Sequence, residues 1–277
     1  MIKGNLVTKL IEFTKQVRKD IIEMVYGAKS GHIGGSLSSV EILAVLYNKI
    51  LNIPVEWDKS PEFKSRDRFI LSKGHVTPVF YSTLAHCGYF DVELLKTFRK
   101  LGSSLQGHPC LFTKLPGVEI STGSLGQGLS IGVGVAQGLK LDNINSKVYV
   151  LLGDGEIQEG SAWEGFMSGG ARKLDNLVAI IDKNNLQIDG SVLEIKTLDP
   201  LDKKLEAFGW NVLTVDGHNL EELEVVFNKA KIAKAPTAVI CNTIKGKGVS
   251  FMENNAGWHG KAPNEEQYKL AMEELNA

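Results

Sequence analysis

The stretch VYVLLGDGEIQEG, residues 148–160, joins an apolar run to an acidic residue between two glycines. Its first five residues form a continuous apolar run, which is typical of a strand covered on both faces of a parallel sheet. Asp154 follows between two glycines, so a carboxylate lies at the tip of a buried strand. An unpaired carboxylate is costly there. The sequence therefore predicts that a positive charge binds at this tip.

Further apolar runs of strand length predict an α/β fold with a doubly wound, mostly parallel sheet and helices on both faces. These runs begin at Arg68, Leu177, Asn211 and Ala238, and helical patterns at 156–173 and 220–233 separate them. Small or polar residues follow every run. Because ligands of open α/β sheets bind beyond the carboxyl ends of the strands, we expect the site at that edge.

Two packing helices are predicted ahead of the sheet. Apolar residues from Leu6 to Val25 recur every three or four positions, which predicts an amphipathic helix that ends near Gly27. Ser38 and Glu41 have the S-x-x-E spacing of a capping box, so a second helix is expected to begin at Ser38.

Length and charge exclude several classes of protein. The 277 residues fit one sizeable core, and we expect a single domain over 1–277. With 31 basic and 32 acidic side chains and no block of like charge, a nucleic-acid partner is not indicated. The N-terminal residues lack the uninterrupted apolar segment expected of a secretory signal, and no apolar run reaches membrane length. Three distant cysteines, Cys87, Cys110 and Cys241, argue against a disulfide framework, and we expect a cytoplasmic protein without a membrane partner.

Asp154 and Asn184 are candidates for a metal site. They lie 30 residues apart (184 − 154), about one βαβ unit, so neighbouring strands could deliver both to one edge. Their oxygens suit Mg²⁺, which usually shares its ligands with phosphates. Gly153 and Gly155 let the backbone approach, and a helix predicted to open at Glu156 favours an anion such as a diphosphate. Either motif alone is compatible with a plain turn.

Taken together, GDGEIQEG and the following NLVAIIDKNNLQIDG resemble the thiamine-diphosphate fingerprint. Further motifs narrow the resemblance to transketolase, in order and along nearly the whole chain: AKSGHIGGSLS, DRFILSKGHVTPVFYSTLAHCGY, LQGHPC, STGSLGQGL, VDGHN and WHGKAP. The fold implied is that of the diphosphate-binding domain of this family.

The resemblance implies a set of site residues. The metal ligands for Mg²⁺ or Ca²⁺ would be Asp154, Asn184 and the backbone carbonyl of Leu186. The remaining cofactor-binding residues would be Lys73, His75, Gly123, Ser124, Leu125, Gly153, Gly155, Glu156, Lys245 and His259. The catalytic residues would be His32, His75, His108, His259 and Glu159, with the histidines contacting sugar hydroxyls or moving protons. Glu159 and Glu164 resemble glutamates at a subunit contact, whereas for His86 and His218 we expect structural roles.

The resemblance also implies an activity and a partner. It covers the N-terminal half of transketolase, so the pyrimidine-binding and C-terminal domains are expected on a separate chain, in an α₂β₂ assembly that includes self-association. The reaction would move a two-carbon ketol unit from a ketose phosphate, such as xylulose 5-phosphate, to an aldose phosphate. This is chemistry of the pentose phosphate pathway, and it uses thiamine diphosphate with the metal.

Other functions remain open from the sequence. The α subunit of a 2-oxoacid dehydrogenase or a deoxyxylulose-phosphate synthase fragment would share the cofactor fingerprint, and a noncatalytic subunit would share the fold. A nicotinamide-dependent dehydrogenase is a different class, suggested by the glycine spacing of Gly132, Gly134 and Gly138. These glycines lie in a helical pattern without a preceding strand, so the context that a dinucleotide needs is missing.

Overall fold

A computed structural model describes the chain from residue 2 to residue 277, with side chains described from residue 7 onward. Its main sheet has five parallel strands in the order β1-β2-β3-β7-β6. These strands are β1 (Arg68–Leu71), β2 (Val148–Gly153), β3 (Leu177–Lys183), β6 (Asn211–Asp216) and β7 (Thr237–Asn242). A short antiparallel hairpin, β4 (Leu186–Gln187) and β5 (Gly190–Ser191), follows β3.

Helices precede the sheet and connect its strands. They are α1 (Ile2–Ala28), α2 (Ile33–Ser38), α3 (Val40–Val45), α4 (Thr77–His86), α5 (Gln127–Leu141), α6 (Gly160–Ala171), α7 (Val192–Lys196), α8 (Leu201–Ala207), α9 (Leu220–Ile232) and α10 (Glu265–Asn276). The predicted first helix is confirmed and ends one residue beyond Gly27. The side chain of Leu6, which belonged to its predicted apolar face, lies outside the described side chains.

Two apolar layers cover the faces of the sheet, as the sequence predicted. On β2, Tyr149 and Leu151 belong to one buried cluster with residues of α1, α3, α4 and α9. The alternate residues Val148, Val150 and Leu152 belong to the other cluster with residues of α5, α6 and α8. Successive side chains of a strand point to opposite faces, so one continuous apolar run supplies both layers. The doubly wound α/β fold is confirmed.

The edge strand β6 departs from the prediction of full burial. Its first four residues, Asn211 to Thr214, are partly buried or exposed, whereas β2 and β3 are buried almost throughout. β6 is an edge strand that pairs only with β7, but β1, at the other edge, is buried almost throughout. An apolar run therefore identified the strand but not its place in the sheet.

The capping box predicted at Ser38 is wrong. Ser38 ends α2, and its hydroxyl donates to the Gly35 carbonyl (3.0 Å) and to Oδ2 of Asp182 (2.5 Å). Glu41 lies in the first turn of α3, where its carboxylate pairs with Arg18. A buried carboxylate elsewhere in the chain thus takes the hydroxyl that the local pattern assigned to a helix cap.

The helix predicted to open at Glu156 instead begins four residues later. A single 3₁₀ turn spans Glu156–Gln158, and α6 starts at Gly160. The Glu156 carboxylate folds back and accepts the hydroxyl of Ser72 (2.5 Å) and backbone N–H groups of Gly126 (3.0 Å) and Gly153 (3.0 Å). It ties the ends of β1 and β2 to the start of α5, so its oxygens are used for structure.

Glycines of α5 fall into two groups. A Cβ at Gly132 would lie 2.5 Å from Cγ2 of Val150, and one at Gly128 would lie 2.2 Å from Oγ of Ser72, so these glycines let α5 lie close against the sheet. Gly134 and Gly138 meet no described atom within 4 Å. All four lie inside α5, so the glycine spacing is not that of a strand-to-helix phosphate loop.

Within residues 2–277, none of the helices combines the length and the apolar character that crossing a membrane requires. Cys87, Cys110 and Cys241 are free thiols.

Gly170 provides a test of this packing. A Cβ there would lie 1.8 Å from the backbone oxygen of Phe208, which cannot move as a side chain can. We expect Gly170→Ala to lower the free energy of unfolding by about 3 kcal/mol, measured by urea denaturation. In the matched control Gly134→Ala, the added methyl meets open space on a helix and should leave stability equal or raise it by up to about 1 kcal/mol. Equal stability of the two variants would contradict the packing described.

Candidate active site

The carboxyl ends of four neighbouring strands meet at one edge of the sheet. The register pairs Gly153 of β2 with Asp182 of β3, and Lys183 of β3 with Asn242 of β7. Because the strands are parallel, the polar residues that follow them come together, as the sequence predicted. Lys73, which follows β1, reaches the same place through its ammonium group.

Asp182 is the centre of this edge. Its fully buried carboxylate accepts hydrogen bonds from the ammonium of Lys73, the hydroxyls of Ser39 (3.1 Å) and Thr243, and the Ser38 hydroxyl already described. Burial alone would raise the pKa of Asp182, but the Lys73 charge and these donors outweigh it, and the pKa is lowered. Asp182 is therefore an anion that joins β1, β3, β7 and α2.

The predicted metal ligands lie together next to Asp182. The carboxylate of Asp154, 2% exposed, accepts the backbone N–H of Asn185 and that of Gly155 (2.8 Å). Asn185 has a left-handed backbone with φ of 60°, which turns the chain between Asn184 and Leu186. The Asn184 side chain donates to Asp182 (3.4 Å) and accepts from the backbone N–H of Leu186 (3.2 Å). The Asp154 carboxylate thus contacts the loop that carries the other two predicted ligands.

The electrostatics of Asp154 suit a bound cation. Burial raises its pKa to about 6, and the neighbouring charge of Asp182 adds to the rise. A carboxylate with a raised pKa lacks sufficient positive charge nearby, which a divalent ion would supply.

The donor set also suits a hard cation. Among the described residues, no group of three or more His, Cys, Asp or Glu side chains could hold a metal. The predicted set consists of one carboxylate, one amide oxygen and one backbone carbonyl, which are ligands typical of Mg²⁺ or Ca²⁺ rather than of Zn²⁺.

A cavity of about 220 Å³ opens beside these ligands. Predicted site residues that line it are Lys73, His75, Leu125, Gly153, Asp154, Gly155, Glu156, Glu159, Asn184, Leu186, Lys245 and His259. Gly35, Gln158, Gln187, Ile188 and Asp189 also line it, and the sequence analysis did not assign them to the site. Gly35 lies in the glycine motif AKSGHIGGSLS, so a signal existed for it, whereas the hairpin residues became apparent only from the fold.

Gly123 and Ser124 do not line this cavity. Gly123 instead lies between the segments that carry His108 and Gly74. A Cβ on Gly123 would lie 2.9 Å from Cδ2 of His108, and a Cβ on Gly74 would lie 2.8 Å from the backbone nitrogen of Gly123. Its φ of 140° is in the region that favours glycine. Ser124 is exposed at the start of the loop that leads to α5.

Four predicted histidines form a cluster, of which His75 and His259 line the cavity and His32 and His108 do not. Ring centroids lie 4.9 Å apart for His32 and His75, 5.3 Å for His75 and His259, 5.4 Å for His32 and His259, and 6.3 Å for His32 and His108. Nδ1 of His32 is buried and has no hydrogen-bond partner among the described residues. Such an atom is available to a ligand.

These imidazoles are held neutral. Burial lowers the pKa of His32 to about 4, with Arg99 contributing next, and lowers that of His259 to about 3, with Lys245 contributing next. Burial also lowers the pKa of His75 far below its usual range and that of His108 to a lesser degree. At neutral pH each ring therefore offers one donor and one acceptor nitrogen.

Lys245 joins the histidines to the loop that carries Asn184 and Leu186. Its Nζ lies 2.9 Å from Nδ1 of His259 and 3.2 Å from the carbonyl oxygen of Leu186. Burial and the charge of Lys73 lower its pKa to about 8. Two cationic side chains, Lys73 and Lys245, thus face one cavity, as an anionic ligand requires.

The two glutamates expected at a subunit contact lie near the cavity on α6. Glu159 is the N-cap residue and is exposed, and Glu164 is exposed one turn further on. The two histidines expected to be structural lie outside the cluster, since His86 contacts Asp20 (2.6 Å) and His218 contacts Glu41 (2.9 Å).

Comparison with known proteins gives the family. The family model described as "Transketolase, thiamine diphosphate binding domain" matches residues 10–276. One of the subunits of the apulose-4-phosphate transketolase of Phocaeicola vulgatus is 45% identical over 260 residues, which cover 94% of this chain and 91% of that protein. The 6-deoxy-6-sulfo-D-fructose transketolase subunit SqwG of a Clostridium species is 43% identical, covering 94% of this chain and 93% of that protein.

Solved structures agree with this result. The crystal structure of transketolase from Campylobacter jejuni superimposes with a TM-score of 0.88 at 37% identity. It covers 96% of this chain, whereas this chain spans only 42% of that one. By sequence and by fold, the chain belongs to the transketolase family, of which it is a thiamine diphosphate binding domain.

Proposed function

We propose that this chain is the N-terminal subunit of a two-chain transketolase, which transfers a two-carbon ketol unit from a ketose phosphate to an aldose phosphate. The observation that carries the proposal is the contact of the Asp154 carboxylate with the Asn184–Leu186 loop, beside a cavity that also reaches His75 and His259. Relatives of matching length that are named transketolase subunits support it.

The metal and diphosphate would lie at the strand ends. Asp154, Asn184 and the carbonyl of Leu186 would hold Mg²⁺ or Ca²⁺, and Lys73 and Lys245 would add positive charge around the diphosphate. Lys73 is already paired with Asp182, which fixes its position, so Lys245 is the more available of the two. Gly155 would offer its backbone N–H, and Gly153 would leave room for the ligand.

The histidine cluster would serve the sugar. When bound, thiamine diphosphate supplies the chemistry that breaks a carbon–carbon bond of the ketose. Neutral His32, His75, His108 and His259 would donate to and accept from sugar hydroxyls and would hold or move a proton there. Leu125, 37% exposed at the cavity rim, would pack against the cofactor, with Gly123 and Ser124 beside it.

A partner chain would complete the site. Gly134 and Gly138 present a bare helix surface on α5, which allows a neighbouring helix to approach closely. Met167 on α6 is 53% exposed, and Glu159 and Glu164 are exposed on the same helix. We propose that the pyrimidine-binding and C-terminal domains are on a companion subunit that packs here, in an α₂β₂ assembly.

The metal assignment predicts a specific loss. In Asp154→Asn, the amide oxygen can accept only one of the two backbone N–H groups that the carboxylate accepts, so the fold is checked by circular dichroism. The negative charge that would bind the cation is gone. We expect Mg²⁺-dependent affinity for thiamine diphosphate to fall at least about a hundredfold, measured by calorimetric titration of the assembled complex. The control is Asp175→Asn, an aspartate ahead of the amino end of β3 that pairs with Lys140, and its affinity should equal that of the wild type. Equal affinity in Asp154→Asn would refute the metal site.

The histidine cluster predicts the pH dependence of stability. His32 and His259 have folded-state pKa values of about 4 and about 3, below the ordinary value of 6.5, so the unfolded chain binds more protons below pH 6.5. Their stabilising contribution is therefore complete above pH 6.5 and is lost as the pH falls toward 4. With allowance for partial exposure, His259 alone should account for about 1 kcal/mol between pH 7 and pH 5.

Urea denaturation at both pH values measures this. His259→Asn should lose less stability between pH 7 and pH 5 than the wild type does, whereas Gln106→Ala, on the His108 loop and without a titratable group, should retain the wild-type loss. An unchanged pH dependence in His259→Asn would contradict the assignment of a neutral, buried imidazole.

The two-chain proposal predicts that activity requires association. The chain alone should show no ketol transfer from xylulose 5-phosphate to ribose 5-phosphate, and a companion chain captured from the native source should restore it in the presence of thiamine diphosphate and Mg²⁺. Related ketose phosphates should be assayed in parallel, because the two relatives named above differ in the ketose that they are named for. Turnover by the chain alone would refute the proposal, and turnover of pyruvate instead would favour a 2-oxoacid dehydrogenase or a deoxyxylulose-phosphate synthase.

A further inference from the structure

The loop Thr243–Gly248 carries Lys245 into the cavity, and its backbone is held at several points. Thr243 bonds to Asp182 through its side chain, and the Gly246 N–H donates to the carbonyl of Gly34 (3.0 Å). Between them, the N–H of Ile244 donates to Nε2 of His218 at 2.8 Å. This last bond comes from a histidine that is not part of the cavity, on the loop between β6 and α9.

The second ring nitrogen of His218 faces a buried carboxylate. Nδ1 lies 2.9 Å from Oε2 of Glu41. Since Nε2 accepts the backbone N–H of Ile244, the proton of the neutral ring is on Nδ1 and is donated to Glu41. Glu41 therefore fixes both the tautomer and the orientation of the ring that holds Ile244.

Glu41 is itself fixed by Arg18. The guanidinium lies 2.7 Å from Oε1 of Glu41, and both side chains are 9% exposed. Arg18 also donates through Nε to the carbonyl of Lys247 (3.0 Å), so it contacts the same loop on the other side of Lys245. Burial would raise the pKa of Glu41, but Arg18 and His218 outweigh it and keep the carboxylate charged.

We propose that Glu41 and His218 are positioning residues for the cofactor site: they hold the Ile244 N–H and thereby place Nζ of Lys245 against His259 and the Leu186 carbonyl. The contacts are continuous from Glu41 through His218 and Ile244 to Lys245, which is 2% exposed. The consequence for affinity depends on the function proposed above, whereas the position of Lys245 does not. Glu41 and His218 themselves touch neither the cavity nor the predicted metal ligands.

Two variants of His218 separate positioning from general stability. His218→Ala removes the acceptor for Ile244, so Lys245 should become accessible to solvent. His218→Gln places a side-chain amide near the site of Nε2 and should restore most of the effect. Glu41 is not the residue to replace first, because its loss would leave Arg18 buried without its partner. The control is His86→Ala, which removes another histidine that contacts a buried carboxylate, Asp20, away from the cavity.

The first readout needs no cofactor. The rate at which a small amine-reactive reagent labels Lys245, followed by mass spectrometry, should rise about tenfold or more in His218→Ala, return toward the wild type in His218→Gln and stay unchanged in His86→Ala. The second readout is the affinity of the assembled complex for thiamine diphosphate with Mg²⁺, which should weaken about tenfold in His218→Ala only.

The outcomes are distinct. Wild-type labelling of Lys245 in His218→Ala overturns the proposal, and so does equal labelling in His218→Ala and His86→Ala, because it would show a general loss of stability. Increased labelling without any change in affinity overturns the link to the cofactor site. If the wild-type complex binds no thiamine diphosphate, the proposed function fails, while the labelling result still decides whether His218 places Lys245.

Discussion

The fully buried carboxylate of Asp182 is the constraint on which the rest of the site depends. It receives hydroxyl groups from α2 and from the end of β7, and it pairs with the ammonium of Lys73 at the end of β1. A charge in this position is tolerated only when its partners satisfy it, and removal of one partner of a buried pair typically costs about 3–5 kcal/mol. The strand ends are consequently held in one arrangement before any ligand binds.

This arrangement also fixes the loop that carries two of the three groups proposed to hold the metal. The amide of Asn184 donates to Asp182, which turns its oxygen away from Asp182. The Asp154 carboxylate contacts the same loop, and burial raises its pKa to about 6. The Asp182 network thus fixes the loop against which a second buried carboxylate lies, and a cation bound there would offset the cost of burying Asp154.

The sequence predicted what local patterns determine and failed where distant residues compete. Continuous apolar runs identified the strands, and the residues that follow them identified the shared edge, because parallel topology fixes where strand ends lie. The capping box at Ser38 failed because a carboxylate 144 positions later takes its hydroxyl. The prediction of a helix start at Glu156 failed because the carboxylate of Glu156 accepts the backbone N–H groups of Gly126 and Gly153. His218 was expected to be structural and does lie outside the cavity, but only the fold shows its contact with Ile244, next to Lys245.

Asp154, Asn184 and the carbonyl of Leu186 are proposed to hold one divalent ion at the end of the sheet. A crystal structure of the complex grown with thiamine diphosphate and Mn²⁺ tests this proposal most directly, because Mn²⁺ scatters anomalously and takes the place of Mg²⁺. The account predicts one anomalous peak about 2.2 Å from each of these three oxygens. A peak bound elsewhere, with the Asp154 carboxylate contacting no ion, would contradict it.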